Sequence, residues 1–356
     1  MSLRRLRALV LGESELEPRV YDALAAANIP TADIEDCRAC PNPCDEGHAE
    51  YPRRFVVDYE STLLGSMKPF RRQIIISTAK SDWDYDITET EGSLAAFIAQ
   101  TQPPKTPDPL PPIVIDMDEK RASPVPGVFS TSDSTRLSIL NGSHQTIAAE
   151  EAENTVLVLP DYTMVVGVRA SEPDAQELWR TALDASLPRF GAPKEPTAFH
   201  TYLVPFSCVI MLCSHKRRDN RCHISALKLE NAFIRCLEAK GWTAHTQIEP
   251  FFLESPLEKF LGTPEEKERH IAAQLRALPA AKRALILRNS HVGGHKYSGN
   301  TILYLPSGSC VWYGRVSTHF VETIVENTIL GGLVLPTILR GGMDICRPGC
   351  PTLHDW

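Results

Sequence analysis

The chain has 356 residues, 43% of them hydrophobic, with a formal net charge of −7 and ten cysteines. That length suits two domains, each burying its own core, and the acidic balance excludes a broad basic surface for nucleic acid or anionic membrane. No apolar run is long enough to span a bilayer and no secretory apolar segment stands near the start, so a soluble intracellular protein is expected, with no membrane and no nucleic acid among its partners.

The cysteines cluster at 37/40/44, 213/222 and 346/350, which points to metal or redox chemistry rather than a disulfide scaffold. At the start, Arg4, Arg5 and Arg7 precede any acid, as in a short mitochondrial presequence. Glu13, Glu15 and Glu17 follow at once and favour an ordinary basic terminus. The expected compartment is the cytoplasm, with the mitochondrion as the alternative. Cys37, Cys40 and Cys44, with His48 nearby, have the close spacing of a metal or dithiol site; a proline-stiffened loop of reduced thiols is the competing reading. A strand at 73–77 and a helix at 93–100 begin a packed domain. Eight prolines from Pro103 to Pro126 then mark a loop or excursion, with at most a short strand at 113–115. Runs at 155–159 and 163–168 read as buried strands and 173–184 as a helix with proline at its start. Residues 186–196 collect three prolines and a glycine without apolar period, as a linker does. Domains are therefore expected at 1–195 and 196–345, with a tail at 346–356.

The second domain opens with a strand at 204–212. A polar loop and a helix follow, the helix with Leu229, Phe233, Cys236 and Leu237 at helical spacing and Gly241 at its end. A helix at 265–278, a strand at 284–287, a hairpin of 301–305 with 310–316, and a helix at 318–329 stopped by Gly331 and Gly332 complete it. This set of four strands and three helices reads as thioredoxin-like.

Two pairs of soft donors stand out in this domain, Cys213 with Cys222 and His291 with His295, each at a strand end. Gly293 and Gly294 disfavour a continuous helix through the histidines and favour a tight turn that brings both rings to one point. Three readings stay open: tetrahedral zinc, an iron–sulfur cluster, and a redox dithiol with bystander histidines. Structural zinc prefers closely spaced cysteine knuckles, whereas Cys-x8-Cys leaves a loop roomy enough for a larger inorganic core. A thioredoxin-type dithiol needs Cys-x-x-Cys at the helix start, where Cys222 stands alone. His215 and His223 flank the cysteines and read as supporting or exposed residues rather than ligands. Cys346 and Cys350, with Pro348 and Gly349 between them, read as free thiols on a flexible tail, and Cys208, Cys236 and Cys310 as core. No Ser-His-Asp set or phosphate-cradling loop is present.

The stretches Cys213-Ser-His-Lys-Arg-Arg-Asp-Asn-Arg-Cys222, His291-Val-Gly-Gly-His-Lys-Tyr-Ser-Gly-Asn300 and Val311-Trp-Tyr-Gly-Arg-Val316 resemble the sucrase/ferredoxin-like family of fungi and plants. Weaker likeness lies at Asp36-Cys-Arg-Ala-Cys40 and Lys80-Ser-Asp-Trp83. The resemblance implies an α/β protein in which a C-terminal thioredoxin-like ferredoxin domain follows a second α/β domain. It implies a [2Fe-2S] cluster on Cys213, Cys222, His291 and His295, the histidines standing where all-cysteine relatives have a second cysteine pair. His223 stands where the family often has a small residue. The expected function is electron transfer in redox homeostasis, as a carrier rather than an enzyme, with a redox partner protein. The alternative is a thiol–disulfide oxidoreductase or redox quality-control factor using Cys37, Cys40, Cys44 or the tail thiols, and a structural zinc protein comes third.

Two ferric irons, two sulfides, two thiolates and two neutral imidazoles sum to zero charge, whereas four thiolates leave the oxidised cluster doubly negative. Rieske centres, with the same ligand set, reach roughly −150 to +300 mV against about −400 mV for plant-type clusters. A raised potential, with a proton coupled through an imidazole, is expected. Lys216, Arg217, Arg218 and Arg221 either face the cluster and stabilise its reduced form or make a solvated basic loop. The ending Leu353-His-Asp-Trp356 resembles the short tail that the cytosolic iron–sulfur targeting machinery recognises, with His354 where an aliphatic residue is usual. In that reading Trp356 anchors in an apolar pocket while Asp355 and the free carboxylate meet basic groups.

Overall fold

The computed structural model describes residues 16–32, 51–52, 55–101, 125–188 and 197–356. The Cys37, Cys40 and Cys44 group with His48, the arginine-rich start and the 113–115 strand fall outside those residues. Helix α1 (Leu16–Ala26) precedes β1 (Arg72–Ser77), which centres on three isoleucines and is buried at every position. Helix α2 (Leu94–Thr101) starts at Ser93, whose hydroxyl accepts the Ala96 N–H at 3.1 Å. After β2 (Val128–Phe129) and β3 (Leu137–Gly142) comes the antiparallel pair β4 (Glu153–Leu159) and β5 (Thr163–Arg169). Helix α3 (Glu172–Leu178) is capped by Ser171, carries Pro173 in its first turn and continues in wider turns to Leu183.

The chain then forms β6 (His200–Leu203), β7 (Cys208–Cys213), α4 (Asn220–Ala239), β8 (Thr243–His245) and α5 (Pro264–Ala277). Strands β9 (Arg283–Asn289), β10 (Thr301–Tyr304) and β11 (Cys310–Tyr313) follow. Helix α6 (Phe320–Thr323), continuing in wider turns to Leu330, and β12 (Leu339–Met343) complete the order. The expected strand at 204–212 begins only at Cys208, because Pro205 has no N–H to give a ladder. From β7 the order is β, α, β, α, β, β, β, α, β, two strands, β8 and β12, more than the sequence reading.

The fold is α/β, built on one mixed twelve-stranded sheet in the order β2-β12-β11-β10-β7-β9-β3-β1-β4-β5-β6, with β8 added on β9. Strand β7 runs parallel to β9 and antiparallel to β10, so the strands that precede the cysteine loop and the histidine loop lie side by side and end together. Strands from either side of residue 195 mix: β6 pairs with β5, and β2 pairs with β12. Between β3 and β9 the register is the single pair Gly142–Asn289, reinforced by Ser143 N–H to Arg288 O and Ser290 N–H to Asn141 O, both 2.9 Å. This junction lies directly before His291 and fixes where the histidine loop starts.

Helix α4 lays Leu229, Phe233 and Leu237 on one face of the sheet against Ile210, Leu212 and Ile286. Burying such side chains contributes roughly 1.5–3 kcal/mol each, which holds the helix that carries Cys222 in place. The opposite face is covered through Ile271 and Leu275 of α5, packed with Val209, Met211 and Leu287. Buried Arg72 and Asp161 pair at 2.8 Å beneath the first half of the sheet. Among the described residues no helix is long and apolar enough to cross a membrane.

Candidate metal centre

Strand β7 is buried at every position and ends on Cys213, whose N–H donates to Asn300 O at 3.2 Å. The polar loop after it closes at Asp219, whose carboxylate accepts the Arg221 N–H at 2.9 Å and caps α4. Cys222 thereby falls in the first turn of α4, and its thiol donates to Cys213. Cys213 is 2% exposed and Cys222 1%. That hydrogen bond, with contributions from His291 and the Val292 N–H, holds the Cys213 thiol well below its ordinary range, while the Cys222 thiol, as the donor, is pushed up.

The histidines come off the end of β9. Gly293 and Gly294 both have left-handed backbones, φ 83° and 69°, and reverse the chain so that the His291 and His295 rings lie 5.6 Å apart between centroids. His295 is exposed and His291 half-buried, yet the Nδ1 atom of His291 is buried with no hydrogen-bond partner. A buried imidazole nitrogen without a partner is unfavourable unless a ligand completes it. The site is thus polarised, with thiols inside and imidazoles outward.

The surrounding residues hold this arrangement. His215, 1% exposed, accepts the His291 N–H on Nδ1 at 3.3 Å and donates from Nε2 to Trp83 O at 2.9 Å, which fixes its tautomer and keeps it neutral. Arg340, on β12, donates to Gly293 O at 3.1 Å and to Asn300 Oδ1 at 2.6 Å, and Asn300 returns its amide to Gly294 O at 3.1 Å. Burial pushes the Arg340 guanidinium down to about 10, opposed first by the Cys213 thiolate. Neither Arg340 nor the strand that carries it was identified from the sequence, since β12 is Leu-Arg-Gly-Gly-Met, with no apolar period. Asn300 closes the histidine stretch already singled out, and that proximity was its only signal.

The basic loop has other partners than a cluster. Arg217 pairs with Asp84, Arg218 with Asp86 at 3.3 Å, and Arg221 with Asp219 at 2.7 Å. Lys216 and Arg217 are exposed, as a solvated basic loop requires, while Arg218 and Arg221 are half-buried against their carboxylates. Asp84 and Asp86 belong to the segment around Lys80-Ser-Asp-Trp83, which straps the cysteine loop through Ser81 O to Ser214 at 3.2 Å and Trp83 O to His215.

The tail is not the loose end expected. Leu353 is 1% exposed, its N–H donates to Gly332 O at 2.8 Å, and its carbonyl accepts Ser307 Oγ at 2.6 Å. Cys346 is exposed and Cys350 half-buried, and burial nudges the Cys346 thiol up, away from the activated range. Cys208 and Cys310 are fully buried and Cys236 half-buried, as core cysteines.

Among the described residues no three His, Cys, Asp or Glu side chains converge as a single metal ion requires. The donors lie instead as a thiol pair and an imidazole pair, with Cys213 also touching His291. A mononuclear zinc site gathers its ligands around one point, whereas a Rieske-type cluster takes cysteines on one iron and histidines on the other. Two thiols and two imidazoles, one with an unpartnered buried nitrogen, are a donor set that either kind of centre can take.

The chain is similar over 295 residues to actin patches distal protein 1 of Saccharomyces cerevisiae, at 23% identity covering 82% of this chain and 78% of that protein. Altered inheritance of mitochondria protein 32 of Meyerozyma guilliermondii is 26% identical over 133 residues, 37% of this chain and 34% of that one. Its namesake in Debaryomyces hansenii is 44% identical over 55 residues, 15% of this chain and 20% of that one. No solved structure matches. The sequence model of one family covers residues 63–341, which includes both donor pairs, the Trp83 strap and Arg340. By that match the chain belongs to the sucrase/ferredoxin-like family.

Proposed function

We propose that Cys213, Cys222, His291 and His295 hold a [2Fe-2S] cluster and that the chain carries single electrons to or from a partner protein. The observation that carries this reading is the meeting of two buried thiols with an imidazole whose buried Nδ1 has no partner. When bound, such a cluster supplies one-electron chemistry at a potential raised by its imidazole ligands. Cys213 and Cys222 place the anionic end where water is excluded. His295 is exposed and His291 half-buried, so this side of the site is open to a partner. His215 orients the backbone of His291, and Asn300 with Arg340 sets the shape of the turn. Electron carriage in the cytoplasm, rather than enzymatic turnover, is the role this suits. The thiol–disulfide alternative has less support from the tail, because the Cys346 thiol is raised rather than activated.

Replacing His291 and His295 together by cysteines tests the reading. The variant retains a cluster, its potential falls, and the pH dependence given by imidazole protonation disappears. A potential that stays where it was would show that the histidines are not ligands.

A further inference from the structure

We propose that Arg340 is a positioning residue of the centre, which holds the histidine turn in ligand-bearing shape and offsets the negative charge the site gains on reduction; this rests on the cluster reading above. A guanidinium has five N–H donors in a rigid fork. Here Nε donates to Ser66 Oγ and Nη2 to Ser66 O, both at 3.0 Å, while Nη1 donates to Gly293 O at 3.1 Å and Asn300 Oδ1 at 2.6 Å. With the Asn300 amide on Gly294 O, the carbonyls of both glycines between the histidines are pinned to one unit. The backbone of Gly294 lies directly on this cation: a Cβ there would come within 2.4 Å of Nη2.

All four acceptors are neutral, Arg340 is 2% exposed, and among the described residues no carboxylate forms an ion pair with it. Burying a charge without a counter-charge is strongly unfavourable. The ionisable groups around it that favour its charge are Cys213 first, then Tyr297 and Cys222, and its guanidinium lies 5.6 Å from the ring centroids of Tyr297 and Trp312. An electron delivered by a one-electron donor protein makes the site one unit more negative beside this fixed cation, which favours the reduced state.

The test compares wild type with Arg340→Gln, which loses the charge, and Arg340→Lys, which keeps the charge but not the fork. Three quantities are read: the reduction equilibrium by dye titration, the rate of iron loss to a chelator in the oxidised state, and the unfolding midpoint of the metal-free chain. Arg340→Gln is expected to have a reduction equilibrium constant at least tenfold lower, 59 mV for a one-electron couple. Arg340→Lys stays within about threefold of wild type in that constant, and both variants lose iron at least threefold faster. Asn300→Asp, which sets a carboxylate against the guanidinium, is also expected to reduce less readily and serves where Arg340→Gln does not fold. Wild-type reduction in Arg340→Gln or Asn300→Asp, or an equal fall in Arg340→Lys, overturns the charge role; wild-type iron retention in both Arg340 variants overturns the positioning role. A wild-type protein that binds no iron is a separate outcome, which removes the cluster reading itself.

Discussion

Gly294→Ala and Gly293→Ala separate two costs that fall on neighbouring residues. Both positions are left-handed, φ 69° and 83°, so alanine at either costs about 1–2 kcal/mol from backbone strain. A Cβ at Gly293 meets nothing within 4 Å, whereas one at Gly294 would sit 2.4 Å from Arg340 Nη2 and 2.7 Å from its Cζ. The guanidinium is held on two sides by Ser66 and Asn300, so making room breaks at least one charge-assisted hydrogen bond, about 1.5–3 kcal/mol. Gly294→Ala is therefore expected to destabilise by about 2.5–5 kcal/mol and Gly293→Ala by about 1–2 kcal/mol. Urea unfolding of the metal-free chain, followed by tryptophan fluorescence, reads the difference as midpoint shifts at unchanged slope. Equal shifts for the two variants would refute the packing of the histidine turn on Arg340.

His215→Ala is expected to keep the visible spectrum while weakening iron retention about 10- to 100-fold, as removal of an outer-shell partner does; loss of the spectrum would make His215 a ligand. His144 is fully buried, and burial pushes it down from 6.5 to about 4 against the opposing pull of the Thr155 backbone. The unfolded chain takes this proton as pH falls below about 6.5 and the folded chain refuses it until about 4, so stability is lost across that window, by about 3 kcal/mol in full. His144→Leu should flatten the fall in the urea midpoint between pH 7 and pH 4.5, and parallel profiles would contradict the assignment. Trp356, 38% exposed with the Arg276 guanidinium 5.2 Å from its ring, is the proposed contact for the cytosolic iron–sulfur targeting machinery. Its deletion should lower iron content in cells but not after chemical reconstitution, and equal iron content in cells would defeat that role.

What could be read from the sequence was local. The buried runs of β1, β4, β5, β7 and β9 announce themselves because both faces of a central strand are covered, and the donor pairs because each is set by a few residues of spacing. Strands β2, β3, β6, β8 and β12 were not legible: they are short, interrupted by polar residues or glycine-rich, and owe their pairing to neighbours far along the chain. The same distance hid the partners of the site. Arg340 reaches Ser66 and Gly293, and Asp84 and Asp86 reach Arg217 and Arg218, across separations that no periodicity encodes. The tail was misread because Pro348 and Gly349 signal a turn, while the pairing of Leu353 with Gly332 and Ser307 depends on the finished fold.

Iron, acid-labile sulfide and zinc, measured together with the visible spectrum on anaerobically purified wild-type protein, test the central claim most directly. The account predicts iron and sulfide in equal amounts, about two of each per chain, with sulfide-to-iron absorption that bleaches on one-electron reduction. Zinc without sulfide, or a colourless protein that takes up neither iron nor sulfide on reconstitution, would contradict it.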